Sequence, residues 1–352
     1  MNRLRRLTRP GPPAGRAVRD GVLPHGLAFF ALGELDGRLN VMVDGAPLDS
    51  TVLTLSHWPG SPTPPGLEHD LSAGIVFAWL RSGAQLSLLP RRRAGRTEPI
   101  VVTTDHFDQD GLVGVYALTD PAAALASEDR LMAVAEAGDF ARGHDRAALR
   151  ASFALSALSE SWPAGTANPA LDGALHRAGL DRLPGLLAAP EQWRADWEDE
   201  DEFLDASEAA LEGGSVTIDE CADLDLAVVR APAATWRPAS QLGRRRPAAV
   251  HPVSVHNRSA RSRVLVLSPP RYEMYFRYET WVSLASPRWS PRLDLNTAAA
   301  ELSAAEPGSV RWSFNGVRAT IARLMPNPGP SDLAPDVVEA LVTAALGAGL
   351  ET

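Results

Sequence analysis

The stretch Ile100 to Leu118, "IVVTTDHFDQDGLVGVYAL", limits the fold more than any other part of the chain. Its first residues, Ile100 to Thr104, show no polar alternation, the pattern of a strand covered on both faces, and a helix-like segment, Leu112 to Leu118, follows Gly111. A covered strand running into a helix is a unit of an α/β sheet. Between the two sit Asp105, His106, Asp108 and Asp110. Alternate residues at an extended strand end point the same way, so His106 and Asp108 reach one point, and the turn brings Asp110 round to it. Crowded acids cost local stability unless something gathers their charge, and a divalent metal does so. Helix capping would account for only one of them.

The ligand chemistry is narrowed by what the chain lacks. Cys221 is the only cysteine, which excludes an internal disulfide and any multi-thiolate metal site. Imidazole with carboxylate suits Mn²⁺, Fe²⁺, Co²⁺ or Zn²⁺, whereas Mg²⁺ prefers oxygen alone. All 34 basic residues are arginine, so Schiff-base and P-loop lysine chemistries are excluded. The net charge of -9 argues against a dedicated binder of long nucleic acid, whose affinity comes from neutralising phosphates. With neither a signal-peptide core nor a long apolar stretch, the expectation is a cytoplasmic protein without membrane contact.

At 352 residues the chain has room for one large or two ordinary domains. Residues 1–24 read as a flexible arm. Residues 25–150 alternate short apolar runs ("LAFFAL", "LNVMVDG", "TVLTLS", "QLSLLP", "PIVVTT") with helical spacing, which predicts a mainly parallel sheet domain. Residues 151–214 read as a polar helical connector, 215–335 as a smaller α+β domain with an antiparallel sheet, and 336–352 as a C-terminal helix. "QLGRRRPA" at 241–248 is the expected exposed loop. In "RYEMYFRYETW", period 2 puts Arg271, Glu273, Tyr275, Arg277, Glu279 and Trp281 on one strand face, and makes Arg271 and Arg277 candidates for holding a substrate phosphate.

"HFDQDG" with a small-and-apolar helix after it resembles the first motif, His-x-Asp-x-Asp-Gly, of the DHH phosphoesterases. The likeness implies that His106, Asp108 and Asp110 are metal ligands and that Gly111 makes the tight turn. "TVLTLSHWPGSPTPPGLEHDLSAGIVFAWL", Thr51 to Leu80, is similar to the family's Asp-His-His region, an apolar strand ending in histidine before a Pro-rich loop and an acid-started helix. Ser56-His57-Trp58 stands in the Asp-His-His place, so His57 alone carries over. Asp70 matches the acidic helix start, as an N-cap over Ser72 and Ala73, and with His69 would stand behind the ligands. "LMAVAEAGDF" places Asp139 just past a glycine-ended helix, similar to the family's isolated Asp motif. The motif order is inverted relative to the family.

The resemblance implies one or two divalent ions, usually manganese, held by His57, His106, Asp108, Asp110 and Asp139, with His57 and Asp108 in catalytic roles. A metal-bound hydroxide would attack a small phosphoester, nucleotide or short oligonucleotide in a DHH-like α/β domain. Two alternatives stand beside it, a metal-dependent enzyme on a non-phosphate substrate and a catalytically degenerate DHH-like binding protein. The oligomeric state is open, with a homodimer among the options.

Overall fold

A computed structural model describes residues 26–83, 92–93, 96–97, 99–162, 169–237, 247–286, 289–327 and 329–350. The expected arm, the "QLSLLP" run and most of the loop at 241–248 lie outside these residues. The fold is α/β, with one parallel sheet and one mixed sheet.

The first sheet is small. β1 (Asn40–Val43) lies between β2 (Thr51–Leu55) and β5 (Val101–Thr103), with both pairings parallel. β1 and β5 are buried along their whole length, as their unbroken apolar runs require. A two-stranded ribbon, β3 (Arg92–Arg93) with β4 (Arg96–Thr97), precedes β5. Around the sheet stand α1 (Ser72–Ser82), α2 (Gln109–Thr119), α3 (Pro121–Ala126) and α4 (Glu128–Asp139). Gly114 brings α2 onto β1. A Cβ there would come within 2.6 Å of Val43 Cγ1 and 3.3 Å of Val76 Cγ2.

The segment expected as a connector is part of this first core. α5 (Arg146–Ser161), α6 (Pro169–Ala188) and α7 (Arg194–Glu212) follow α4, and Leu149, Leu155, Leu183, Trp197 and Leu204 are buried with the residues of α1, α2 and α4. The acidic run of α7 masked its inner face. Trp197, Phe203 and Leu204 are buried, and so are Glu200 and Asp201 of the acidic run, while Asp199 and Glu202 are exposed.

The second sheet has six strands: β6 (Thr217–Cys221), β7 (Leu226–Arg230), β8 (Arg263–Ser268), β9 (Arg271–Phe276), β10 (Arg311–Phe314) and β11 (Arg323–Asn327), in the order β10-β11-β9-β8-β7-β6. It is mixed and not wholly antiparallel, because β7 and β8 run parallel, joined through the short α8 (Pro252–His256). It also has twice the strands of the first sheet. Val228, Leu265 and Met274 pack beneath α9 (Asn296–Ala305) and α10 (Pro335–Leu350), which makes the C-terminal helix part of the core and not an appendage. Val229, Val264 and Tyr275 take the other face.

Arg263 opens β8 fully buried and donates to the carbonyls of Leu224 and Pro291. One local expectation fails here. Period 2 in β9 stops at Phe276, where a 3₁₀ turn at Tyr278–Thr280 begins, so Arg277 and Glu279 leave the strand face that carries Arg271, Glu273 and Tyr275. Among the described residues, no helix is long and apolar enough to cross a membrane.

The Gly114 contact gives a direct test of the packing. Gly114→Val forces a branched side chain into a β-branched neighbour, and should lower stability by about 1–3 kcal/mol, read as a fall in melting temperature.

Candidate metal centre

The strands of the parallel sheet deliver their acids and histidines at one edge. After Val43 the chain turns at Asp44, which takes a left-handed φ of 48° that aspartate tolerates better than most residues. Its backbone N–H donates to the Leu55 carbonyl at 3.1 Å, tying the end of β1 to the end of β2. Two residues beyond Leu55 comes His57. β5 ends before His106, Asp108 and Asp110, and α4 ends on Asp139. Carboxyl ends of parallel strands are the usual ligand edge of such sheets.

Asp110 sits in the first turn of α2, yet its carboxylate serves α1. Oδ2 accepts from Ser72 N at 2.6 Å and Oδ1 from Ala73 N at 2.8 Å. This is the capping expected of Asp70. The N-cap position of α1 is Leu71, which has no capping side chain. Asp70 instead accepts from Ser286 N through Oδ1, and its backbone carbonyl receives His57 Nδ1 at 2.6 Å. His69 lies behind it, with Nδ1 accepting from Leu71 N at 3.1 Å. The N-cap of α2 is Asp108, whose Oδ1 accepts from Gly111 N at 2.8 Å.

A carbonyl can only accept, so His57 carries its proton on Nδ1 and presents a lone pair at Nε2. That atom lies 3.3 Å from Asp44 Oδ1, 3.6 Å from Asp139 Oδ2 and 3.9 Å from Asp110 Oδ2. Asp44 Oδ2, His57 Nε2 and Asp139 Oδ2 are buried with no hydrogen-bond partner. Converging acceptors with nothing to accept from are what a cation site offers, and histidine fixed through Nδ1–H to a carbonyl is the usual preparation of a ligand.

A second group adjoins the first. His106 Nε2 lies 2.7 Å from Asp108 Oδ2 and 3.6 Å from Asp44 Oδ2, and its Nδ1 is 2.7 Å from Asp105 Oδ1. Asp44, His57 and Asp110 can each offer one ligand atom within 4.8 Å of the others, and so can Asp44, His106 and Asp108. Asp44 belongs to both, Oδ1 toward His57 and Oδ2 toward His106. Asp139 borders the first group.

Electrostatics describe the same strain. Burial, then the repulsion of Asp108 and Asp110, pushes Asp44 up to about 8. Burial and Asp108 push Asp110 up to about 7 against its two backbone donors, and burial with the neighbouring acids raises Asp139 as well. Burial would raise Asp108 too, but His106 outweighs it and holds this acid below its ordinary value. His106 is raised to about 12, burial being overcome by Asp108, Asp105 and Asp44.

All five expected ligands therefore lie together, while two further residues come from outside the motifs. Asp44 ends the apolar run "LNVMV" as Asp-Gly, a strand-end acid like those of the first motif and legible on that ground. Tyr278 packs on His57 with ring centroids 6.0 Å apart, and burial followed by Asp139 raises its hydroxyl, a closeness no local pattern encodes. Gly138 is not a helix stop, because α4 runs through Asp139. A Cβ at Gly138 would come within 2.5 Å of Gln109 Cβ, so the glycine allows α4 to press on the start of α2. Asp145, beside His144, caps α5 through the N–H groups of Ala147 and Ala148.

The expected phosphate grip is not assembled. Arg271 is exposed and stacks on Trp236 at 4.9 Å. Arg277 is buried, pairs with Glu279, and donates to the Ser259 carbonyl at 3.0 Å. Both are corrections to the strand-face reading, whose period ends between them.

An α/β chain with a buried carboxylate and imidazole centre at its sheet edge is the class of protein that these features define. A family model described as "Family of unknown function (DUF6687)" matches residues 25–350, and the chain belongs to that family. No curated protein and no solved structure matches it.

Two outcomes test the centre. Asp44→Ala removes the shared carboxylate and should cost nearly all bound manganese by elemental analysis, while Asp139→Ala should keep about one equivalent. Metal-free protein holds more protons at Asp44, Asp110 and His106 than its unfolded chain does, so its stability should fall as pH rises from about 6.5 to 8.5. His256, held well below its ordinary value by burial, opposes this trend only at lower pH. Melting curves should show a fall of several degrees that added Mn²⁺ removes.

Proposed function

We propose that the chain is a metal-dependent phosphoesterase of the DHH type. The observation that carries the reading is Asp44, one buried carboxylate whose two oxygens face two separate donor groups. On this reading Asp44, His57, Asp110 and Asp139 hold one ion, and Asp44, His106 and Asp108 hold another. Nitrogen and carboxylate donors without thiolate suit manganese. Two divalent ions so held would supply Lewis-acid chemistry for a phosphoryl group at neutral pH.

The inverted motif order is no obstacle to this reading. β1, β2 and β5 lie side by side and parallel, so their ends meet at one edge whatever the order in which the chain visits them. Access is one-sided. Asp44, His57 and Asp110 are sealed, whereas the His106 and Asp108 side chains are 37% and 23% exposed and line the cleft with Asp139. A substrate would enter over that face. Trp58, Phe140 and Tyr278 border the same opening and limit water there. The raised Tyr278 hydroxyl stays protonated at neutral pH and can donate to a phosphoryl oxygen.

Protein supplied with Mn²⁺ should hydrolyse bis-p-nitrophenyl phosphate or p-nitrophenyl phosphate. Asp108→Ala and His57→Ala should lower kcat/KM by roughly 10³, about 4 kcal/mol of transition-state stabilisation. Absence of hydrolysis in protein with its metal content confirmed, or turnover that chelators leave unchanged, would overturn the reading.

A further inference from the structure

Beyond His106, Asp108 and Asp139 the cleft widens into a cavity of about 700 Å³, room for a small organic molecule and not only a phosphoryl group. One wall comes from β9, the turn after it, and the start of β11. Two arginines stand in that wall, and each is matched by a glutamate of the same wall. Arg277 is held by both oxygens of Glu279, and the pair is 1% and 3% exposed. Arg323 pairs with Glu273 and lies over the Tyr275 ring at 5.3 Å from its centroid. His256 is spoken for as well. Its Nδ1 donates to the Phe140 carbonyl at 2.8 Å, and its Nε2 accepts from the Tyr275 hydroxyl at 2.9 Å. Much of the remaining lining is apolar or aromatic, including Trp58, Phe153, Trp236 and Val266.

Among the described residues, a second phosphate placed in this space would find no cation released to meet it. It would lose its hydration with no free positive charge among the described residues to offset the loss, and that desolvation costs affinity. A flat uncharged ring would lose little and gain contact with the aromatic lining. Resting on the phosphoesterase reading, we infer that the substrate carries one anionic phosphoryl group, at the metal ligands, and an uncharged ring-bearing remainder in the cavity. Polyphosphates and oligonucleotide backbones are thereby disfavoured. Glu273 and Glu279 then act as specificity residues, by keeping Arg323 and Arg277 occupied.

The test is calorimetric binding to manganese-loaded protein of phenylphosphonate and 4-carboxyphenylphosphonate, which differ only by an anion at the far end of the ring. Phenylphosphonate should bind at least about tenfold more tightly. Glu273→Gln, which frees Arg323, should narrow that gap, and Arg323→Gln, which leaves Glu273 unpaired, should widen it. Equal or tighter binding of the carboxylated compound by the wild type, or a gap unmoved by both variants, would overturn the inference while leaving the phosphoester reading in place. If neither phosphonate binds protein whose manganese content has been measured, the phosphoester reading itself falls, and this inference with it.

Discussion

The first half of the molecule is organised by the start of α1. Ser72 gives its backbone N–H to Asp110, gives its hydroxyl to Asp44 Oδ1 at 2.7 Å, and accepts the backbone N–H of His57 on that same hydroxyl at 3.1 Å. One serine thereby fastens residues that follow β1, β2 and β5. The N–H groups at a helix start have no partner within the helix and favour negative charge, which lets a buried carboxylate such as Asp110 remain ionised more readily than burial alone would permit. The helix needs the carboxylate for the same reason. With Leu71 at its N-cap, α1 would otherwise begin inside the core with its first donors unmet.

That arrangement meets only part of the charge it gathers. Asp110 has two backbone donors and Asp108 has Gly111 and His106, but Asp139 Oδ2 and Asp44 Oδ2 have no hydrogen bond, and the first of these faces the lone pair of His57. Without a cation, the groups at this edge must hold protons they would shed in water. Folding and ion binding are in that case linked, since an ion that binds only the native arrangement stabilises it. The three short strands do not make an extensive sheet, and the packing of α1, α2 and α4 around them carries the burden of keeping the acids close. Gly114 and Gly138 are two places where that packing leaves no room for a Cβ.

How much of this was legible in the sequence follows from where each signal resides. The covered strand at Val101 and the helix after Gly111 are local patterns, and they appear where the apolar spacing puts them. His106, Asp108 and Asp110 are neighbours in sequence, so their convergence needed only strand and turn geometry. Asp44 lies some sixty residues upstream and joins them only through the pairing of β1 with β5. Capping shows the limit of local rules. Asp70 has the right spacing for the N–H groups of Ser72 and Ala73, but Asp110 reaches them across the core and Asp70 turns to Ser286. At Arg277 a period held correctly through Phe276 was carried past the end of its strand. In α7 the acids that made a solvated connector plausible are only partly exposed, since Asp201 pairs with Arg146 and Arg150 of α5 beside the Trp197 and Leu204 that complete the first core.

The two donor groups differ in a way that bears on how such a centre would divide its work. Around His57 the donors are four and only Asp139 reaches the cavity, with Asp44 and Asp110 held by hydrogen bonds from Ser72 and Ala73 and His57 held by the one it gives to the Asp70 carbonyl. Around His106 they are three, and two of these open onto the cavity. A closed donor set leaves an ion little room for anything else, whereas an open one keeps positions for water and substrate. On the proposed reading the His57 side anchors and the His106 side meets the substrate. Asp44 couples them, because moving charge onto one of its oxygens alters what the other can offer. On that reading the cavity beyond would complete the division, since its two described arginines are paired with glutamates and the sheet edge would be left to meet a phosphoryl group.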